Sequence, residues 1–305
     1  MKIAILSKGP GNYSTKRLKE AAIVRGHEVR VINYVHCEAR IEQNNPIVLY
    51  EGEVLKGFDA IIPRIASSFT RYGSAVVRQF EMQGVFTTAS SIAIVRSRDK
   101  LRATQLLARA GIDIPKTIFS RGGSDVDRVM AELNGPPIII KLARGTHGRG
   151  VVLAETRKAA KSVIQSFYMM DEDGTNILLQ EYIEESEGAD IRAFIVGGKV
   201  VASMKRQTIN LDEEFRSNLH QGGEGTSIKL TDEERKAAFK AAKAMGLSIC
   251  GVDLIRSQRG PLVLEVNSSP GFGIEQVTGR NVAEKIIEYV EQNAKRRQKK
   301  DRVGA

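Results

Sequence analysis

Apolar residues along this chain fall in short runs that alternate with amphipathic stretches. Lys2–Leu6 is an apolar run of strand length, followed by Leu18, Ala21 and Ala22 on one helical face. Ser14 is placed to cap that helix and Gly26 to end it. Residues 28–33 alternate as a second strand, and 59–63 form a third apolar run. A helical pattern over 72–83 then leads into a short strand at 85–88. Strand, helix, strand in this rhythm predicts a parallel sheet with crossover helices, which places a first α/β domain at about residues 1–95.

Beyond it the pattern changes to α+β. A helix pair starts near Ser90, and residues 98–110 turn Leu101, Leu106 and Leu107 inward before Gly111 stops them. A strand at 114–119, a helix near 124–133 and the apolar strand Ile138–Leu142 follow. After a glycine-rich turn, 151–154 returns as an antiparallel partner and 158–167 is helical, so a second lobe spans 96–175. Residues 176–292 hold five strand-like runs and helices at 232–245 and 282–292, ahead of a basic tail at 293–305. Three lobes in contact place ligands in the clefts between them.

Composition narrows the classes. With 42% hydrophobic and 27% charged residues, the 305-residue chain can bury a full core, which excludes disorder as its main state. No apolar run reaches the roughly 18 residues of a membrane span, and the apolar start is too short for a signal peptide. Cys37 and Cys250 are too few for a disulfide framework, which points to a reducing cytoplasm. Of the net charge of +10, the last fifteen residues supply +4, a segment drawn to polyanions and read here first as a frayed, solvated helix end. The remaining positive body suits an anionic substrate or product.

Three features carry chemistry. The turn over residues 143–150, Ala-Arg-Gly-Thr-His-Gly-Arg-Gly, can bring backbone N–H groups close to an anion through Gly145, Gly148 and Gly150. It is neither a Walker A loop nor a dinucleotide fingerprint, because a strand follows it and not a helix. Taken alone it is an ordinary hairpin. Lys141 alters that reading, since an ammonium inside Ile138–Leu142 is costly to bury without an anion. The strongest signal is Gly251–Arg256 followed by Gly260–Asn267, where Glu265 and Asn267 share a strand face that Asp253 can join. Two carboxylates and an amide oxygen among Val and Leu suit one or two Mg²⁺ ions that also hold nucleotide phosphates. The histidines are too scattered for a zinc site, and Cys250 reads as a small core residue.

The order Lys141, glycine flap, Gln180-Glu-Tyr-Ile183, Asp253 and Glu265-Val-Asn267 resembles the ATP-grasp fold. The stretches Met1–Ser7, Arg98–Arg102, Gly150–Thr156, Phe215–His220 and Glu265–Gly271 resemble more closely the RimK group of ATP-dependent glutamate ligases, with 215–220 the most specific. The fold so implied is ATP-grasp preceded by a Rossmann-like pre-ATP-grasp α/β domain. The resemblance implies that Lys141 and Lys100 hold ATP phosphates, and that Glu181 and Tyr182 lie in the strand meeting adenine. It also implies that Asp190 accepts from the ribose hydroxyls and that Arg216, Ser217 and Asn218 lie near the transferring phosphate. Asp253, Glu265 and Asn267 match the family's ligands for Mg²⁺ or Mn²⁺, two ions in all. Arg206 is the catalytic candidate, a clamp on a substrate carboxylate or acyl phosphate, with Arg192 a weaker one. The flap departs from the family in the basic Arg144, where an acidic residue is common.

The activity implied is ADP-forming addition of L-glutamate to the C-terminus of a small-subunit ribosomal protein, or to a glutamate peptide as poly-α-glutamate, through an acyl phosphate. Ribosome contact through the basic tail and a homo-oligomer accompany that reading. Its rivals are a ligase joining an amino acid to another small-molecule or cofactor acid, a non-catalytic ATP-binding regulator, and an RNA-binding module. With 6% aromatic residues and no tryptophan, stacking platforms for RNA are not evident.

Overall fold

The computed structural model describes residues 1–121, 126–142, 150–169, 176–209 and 223–295. The N-terminal lobe runs β1 (Lys2–Ser7), α1 (Tyr13–Val24), β2 (Glu28–Ile32), β3 (Cys37–Arg40), β4 (Ile47–Tyr50), β5 (Glu53–Leu55), β6 (Ala60–Arg64), α2 (Thr70–Met82) and β7 (Phe86–Thr87). Strands β2-β1-β6-β7 form the expected parallel sheet. Its central strand β1 is buried on both faces, as a parallel strand covered by helices must be. Between β2 and β6 lies a three-stranded antiparallel meander, β3-β4-β5, which the hydrophobic pattern does not predict. Its strands are three or four residues long, too short for a periodicity to register. Ser14 does not cap α1. The N-cap is Asn12, and Ser14 Oγ instead accepts from the Phe272 N–H at 3.1 Å.

Two helices, α3 (Ser91–Arg98) and α4 (Lys100–Arg109), lead out of this lobe, with the Asp99 side chain capping the second. The middle of the chain gives β8 (Thr117–Arg121), α5 (Val126–Glu132), β9 (Ile138–Leu142), β10 (Val151–Ala154), α6 (Arg157–Met169) and β11 (Asn176–Glu181). These strands form an antiparallel sheet in the order β10-β9-β11-β8. The sequence reading assigned 176–181 to the last lobe. The strand instead inserts between β9 and β8, so the middle sheet extends to Glu181.

The last part contains β12 (Ala189–Val196), β13 (Lys199–Gln207), β14 (Glu224–Ser227), α7 (Asp232–Met245), β15 (Ile249–Ser257), β16 (Gly260–Asn267), α8 (Gly273–Thr278) and α9 (Val282–Asn293). Its antiparallel sheet has the order β14-β13-β12-β15-β16. Helix α7 begins in a capping box between Thr231 and Glu234 and ends at Gly246 in the left-handed conformation, which is why its limits are readable from sequence.

The cores show which lobes act as one body. Alternate residues of β1 feed two clusters: Ala4 and Leu6 pack with Ile191, Ala193 and Val252, while Ile3 and Ile5 pack with Phe194, Met204 and Ile286. First and last lobes therefore share both cores. The middle sheet has a separate core of Ile138, Ile140, Ile177, Leu179, Met130 and Ile164. Charged contacts reinforce the shared body: Arg25 forks onto Glu291 at 2.9 and 2.7 Å, and Arg17 Nε donates to Glu275 at 3.0 Å. Among the described residues, no helix is long and apolar enough to cross a membrane.

Candidate active site

The antiparallel register places the acidic residues. Asp253 on β15 stands opposite Glu265 on β16, and Gly251 opposite Asn267. Between the pairs Asp253–Glu265 and Leu254–Val263 the register slips, leaving Leu264 as an extra residue on β16. Such a bulge re-aims the strand end beside a site. Asn267 Nδ2 donates to Glu265 Oε1 at 2.9 Å and to Asp253 Oδ2 at 3.4 Å, so the three side chains meet. Asp253 is 3% exposed, whereas Glu265 is exposed. Among the described residues no group of three His, Cys, Asp or Glu side chains is arranged to hold a metal ion. The available set is two carboxylates and one amide, hard oxygen donors that fit Mg²⁺ better than a softer metal.

Asp253 is held by arginines. Arg192, its partner in register, donates Nε to Oδ1 at 2.7 Å and Nη2 to Oδ2 at 2.6 Å, and Arg206 Nη2 reaches Oδ2 at 3.0 Å. Burial alone would raise the Asp253 pKa, but Arg192 and then Arg206 hold the carboxylate ionised well below its ordinary range. Both Asp190 oxygens accept from Arg206, Oδ1 from Nε at 2.6 Å and Oδ2 from Nη2. Burial pushes Asp190 upward and outweighs that pairing. Asp190, expected to contact ribose, thus takes part in a bidentate arginine pair. Arg206, the expected substrate clamp, is 2% exposed and paired with two carboxylates. Its geometry makes it a positioning residue for Asp253.

On the middle sheet Lys141 Nζ donates to Gln180 Oε1 at 2.6 Å, and Gln180 Nε2 donates to Thr117 Oγ1 at 2.9 Å. Desolvation pulls the Lys141 ammonium down to about 8, opposed by Glu265 and assisted by Lys100. Lys100, the first residue of α4, donates to the Leu142 carbonyl at 3.0 Å and is lowered chiefly by burial. Both lysines feel the Glu265 charge. Strand β9 and helix α4 thus bring two ammonium groups within electrostatic reach of Glu265.

The flap's base is defined by Gly150, at φ +72°, where an added Cβ would lie 2.6 Å from Leu142 Cδ1. Its carbonyl accepts from the Leu142 N–H at 2.8 Å. Gly145 and Gly148 in the flap, Arg216, Ser217 and Asn218, and the tail from 296 lie outside the described residues. Glu181 accepts from the Lys116 N–H at 2.6 Å and from Arg259. Tyr182 lines a cleft of about 690 Å³ with Pro137, Leu153, Glu155, Glu184 and Gln258, between the middle and last sheets. Cys250 is buried, and burial pushes its thiol up to about 12, which removes it as a nucleophile.

Two sequence models divide the chain at this architecture: a RimK PreATP-grasp domain matches residues 1–94 and a RimK-like ATP-grasp domain matches 97–290. The chain belongs to the RimK-like ATP-grasp family. It is an ATP-dependent ligase of that family, with its pre-ATP-grasp and ATP-grasp parts in the expected order. A "Probable alpha-L-glutamate ligase" of Hydrogenovibrio crunogenus is 57% identical over 296 residues, 97% of each chain. One of Picosynechococcus sp. is 57% identical over 304 residues, 99% of each. Among solved structures, a RimK domain ATP-grasp protein from Sphaerobacter thermophilus superposes with TM-score 0.71 at 18% identity, over 95% of this chain and 99% of that one. The ATP-grasp ligase PsnB, solved with a minimal precursor, Mg and ADP, gives TM-score 0.72 at 20% identity over 97% and 98%. At these identities the structural likeness speaks for the fold.

Sequence reasoning missed three contributors: Gln180 as partner of Lys141, Arg64 at the end of β6, and Gly251 beneath the loop after β16. An added Cβ at Gly251 would stand 3.0 Å from Pro270 Cβ and 3.6 Å from Arg192 Nε. A glycine next to a buried Val-Asp pair was the available signal, and only the neighbouring loop gives it meaning.

Proposed function

We propose that this protein uses ATP and Mg²⁺ or Mn²⁺, two ions in all, to add L-glutamate to the C-terminal carboxylate of a small-subunit ribosomal protein, or to extend a glutamate peptide as α-linked polyglutamate. The observation that carries it is the meeting of Asp253, Glu265 and Asn267 at the ends of β15 and β16, with the Lys100 and Lys141 ammonium groups within electrostatic reach of Glu265. The names borne by relatives matched over nearly the whole chain support glutamate as the amino acid added.

Asp253, Glu265 and Asn267 would hold the metal ions, which neutralise phosphate charge and polarise the transferring phosphoryl group. Lys141 and Lys100 bind phosphate oxygens, whose negative charge offsets the burial that lowers both ammonium groups. Arg192 and Arg206 keep Asp253 ionised and aligned. The acceptor carboxylate oxygen attacks the terminal phosphorus, the bond to the ADP oxygen breaks, and an acyl phosphate forms. The glutamate amine then attacks the acyl carbon, the amide bond forms, the acyl C–O bond to phosphate breaks and the amine loses a proton. The independent core of the middle sheet lets that lobe move as a unit over the cleft and exclude water from the acyl phosphate. In this reading the basic tail assists contact with the ribosome, and deleting residues 291–305 tests it: unchanged activity on a ribosomal substrate removes that role.

The test of the function is ADP release from ATP and Mg²⁺ with L-glutamate, with and without acceptors, the products followed by mass spectrometry. Mass gains in glutamyl steps on a ribosomal protein or glutamate peptide are expected. ADP release only with another acid or amine would reassign the ligase, and bound ATP without turnover would make it a regulator.

A further inference from the structure

The mechanism leaves two guanidinium groups beside the site unused. In the N-terminal sheet β2 and β6 lie on opposite sides of β1, so the carboxyl ends of β1 and β6 flank the crevice where open parallel sheets take ligands. Arg64 ends β6, paired in register with Ser7 at the end of β1. Its Nη2 donates to the Pro270 carbonyl at 2.7 Å, and its guanidinium lies 5.1 Å from the centre of the Phe272 ring. Arg98, at the end of α3, donates Nη2 to the Ile65 carbonyl at 3.0 Å, and its buried Nε has no hydrogen-bond partner among the described residues. Among the described residues neither arginine has a carboxylate within ion-pair distance, although a guanidinium offers five donors. Burial and the nearby Arg98 charge draw Arg64 down to about 10.

The loop that meets Arg64 carries a second, independent anomaly. Among the described residues the hydroxyls of Ser268 and Ser269 are buried with no hydrogen-bond partner, and Ser268 as a whole is 4% exposed. Unmade hydrogen bonds of this kind are rare in folded proteins and costly. The loop sits directly against the acidic strand ends: Pro270 packs over Gly251, which adjoins Arg192 on Asp253. Arg98 also feels the charge of Glu265, as do Lys100 and Lys141.

We propose that Arg64, Arg98, Ser268 and Ser269 form a carboxylate subsite on the N-terminal side of the active site, separate from the phosphate contacts of Lys100 and Lys141. Planar guanidinium forks match a carboxylate in two-point contact, and the two hydroxyls would donate to the same oxygens. The identity of the carboxylate, that of free glutamate or of the acceptor's C-terminus, rests on the ligase reading above.

Ser268→Ala and Arg64→Lys test it by steady-state kinetics on the full chain. In Ser268→Ala the ligand-free protein should melt at the same temperature or slightly higher, because an unpartnered hydroxyl is removed, while a structural hydroxyl would lower it. Both variants should raise the KM for L-glutamate or for a glutamate-terminated peptide by about 10- to 100-fold, with the KM for ATP changed less than twofold. A rise for glutamate assigns the incoming amino acid, and a rise for the peptide assigns the acceptor. A change confined to ATP, or no change, overturns the subsite. If the wild type does not turn over glutamate at all, calorimetric titration with L-glutamate and with succinate in the presence of a non-hydrolysable ATP analogue separates the two ideas. Binding lost in Arg64→Lys keeps the subsite while the ligase reading falls, and equal binding, or none to the wild type, overturns the subsite.

Discussion

Replacing Arg206 by Met should expose how the buried charges near Asp253 balance. In the folded protein Arg206 serves two carboxylates, Asp190 through both its oxygens and Asp253 through Oδ2, with its own side chain 3% exposed. Arg192 still neutralises Asp253 in the variant, so the uncompensated charge falls on Asp190, whose side chain is 12% exposed. Removing one partner of a buried pair costs about 3–5 kcal/mol. For 305 residues unfolding with the usual entropy per residue, that is a drop in Tm of roughly 5–8 °C. The penalty should depend on pH in a defined sense. Asp190, already pushed upward by burial, rises further, so the deficit is full above its folded pKa and shrinks as acid protonates it. Adding Asp190→Asn to Arg206→Met removes the stranded charge and should recover most of the stability, because replacing a whole buried pair by uncharged groups is often near neutral. Calorimetry of the wild type, single and double variants between pH 5 and 8, with ligase activity measured alongside, reads the cycle. A single variant within about 1 kcal/mol of wild type, or a double variant no better than the single, would refute this account of the Asp190–Arg206–Asp253 pairing.

Other perturbations follow from the same geometry. Lys141→Met should preserve the fold, since an ammonium disfavoured by burial becomes an apolar side chain, yet cut kcat/KM by at least 100-fold, read from ADP release. In the wild type, affinity for an ATP analogue should weaken as pH rises through about 8, where free Lys141 loses its proton, and calorimetric titration across pH 6.5–9.5 would show it. Gly150→Ala meets both a left-handed φ and the Leu142 side chain, so about 1–3 kcal/mol of destabilisation confined to the middle lobe is expected, seen by hydrogen exchange in β9 and β10. Glu291, held down to about 2 chiefly by Arg25, contributes stability that is present above its ordinary value of 4.5 and lost as pH falls toward 2. Glu291→Gln should therefore flatten the acid limb of the stability curve measured by chemical denaturation.

Much of this molecule is local enough to be read along the chain. Helix α7 carries its own start and stop in Thr231, Glu234 and Gly246, and β9 and β10 are apolar runs bracketing a glycine turn, so the limits of all three are legible in the sequence. The pairing of Glu265 and Asn267 follows from strand alternation, and the ATP-grasp family from motif order. Other features depend on contacts between residues far apart in sequence. Strand 176–181 joined the middle sheet because β8 and β9 offered edges on both its sides, which no periodicity records. That Arg206 and Asp190 pair with each other is not legible from either strand taken singly. The β12–β13 register sets them face to face, and the low dielectric of the interior then favours their mutual pairing over exposure. Arg64 and Ser268 lie 204 positions apart in sequence by their numbers and carry no shared pattern. The chain itself determined which elements form and which chemical groups are available. Packing of the first and last lobes around shared cores decided which charges meet, because burial turns every unpaired polar group there into a demand for a partner.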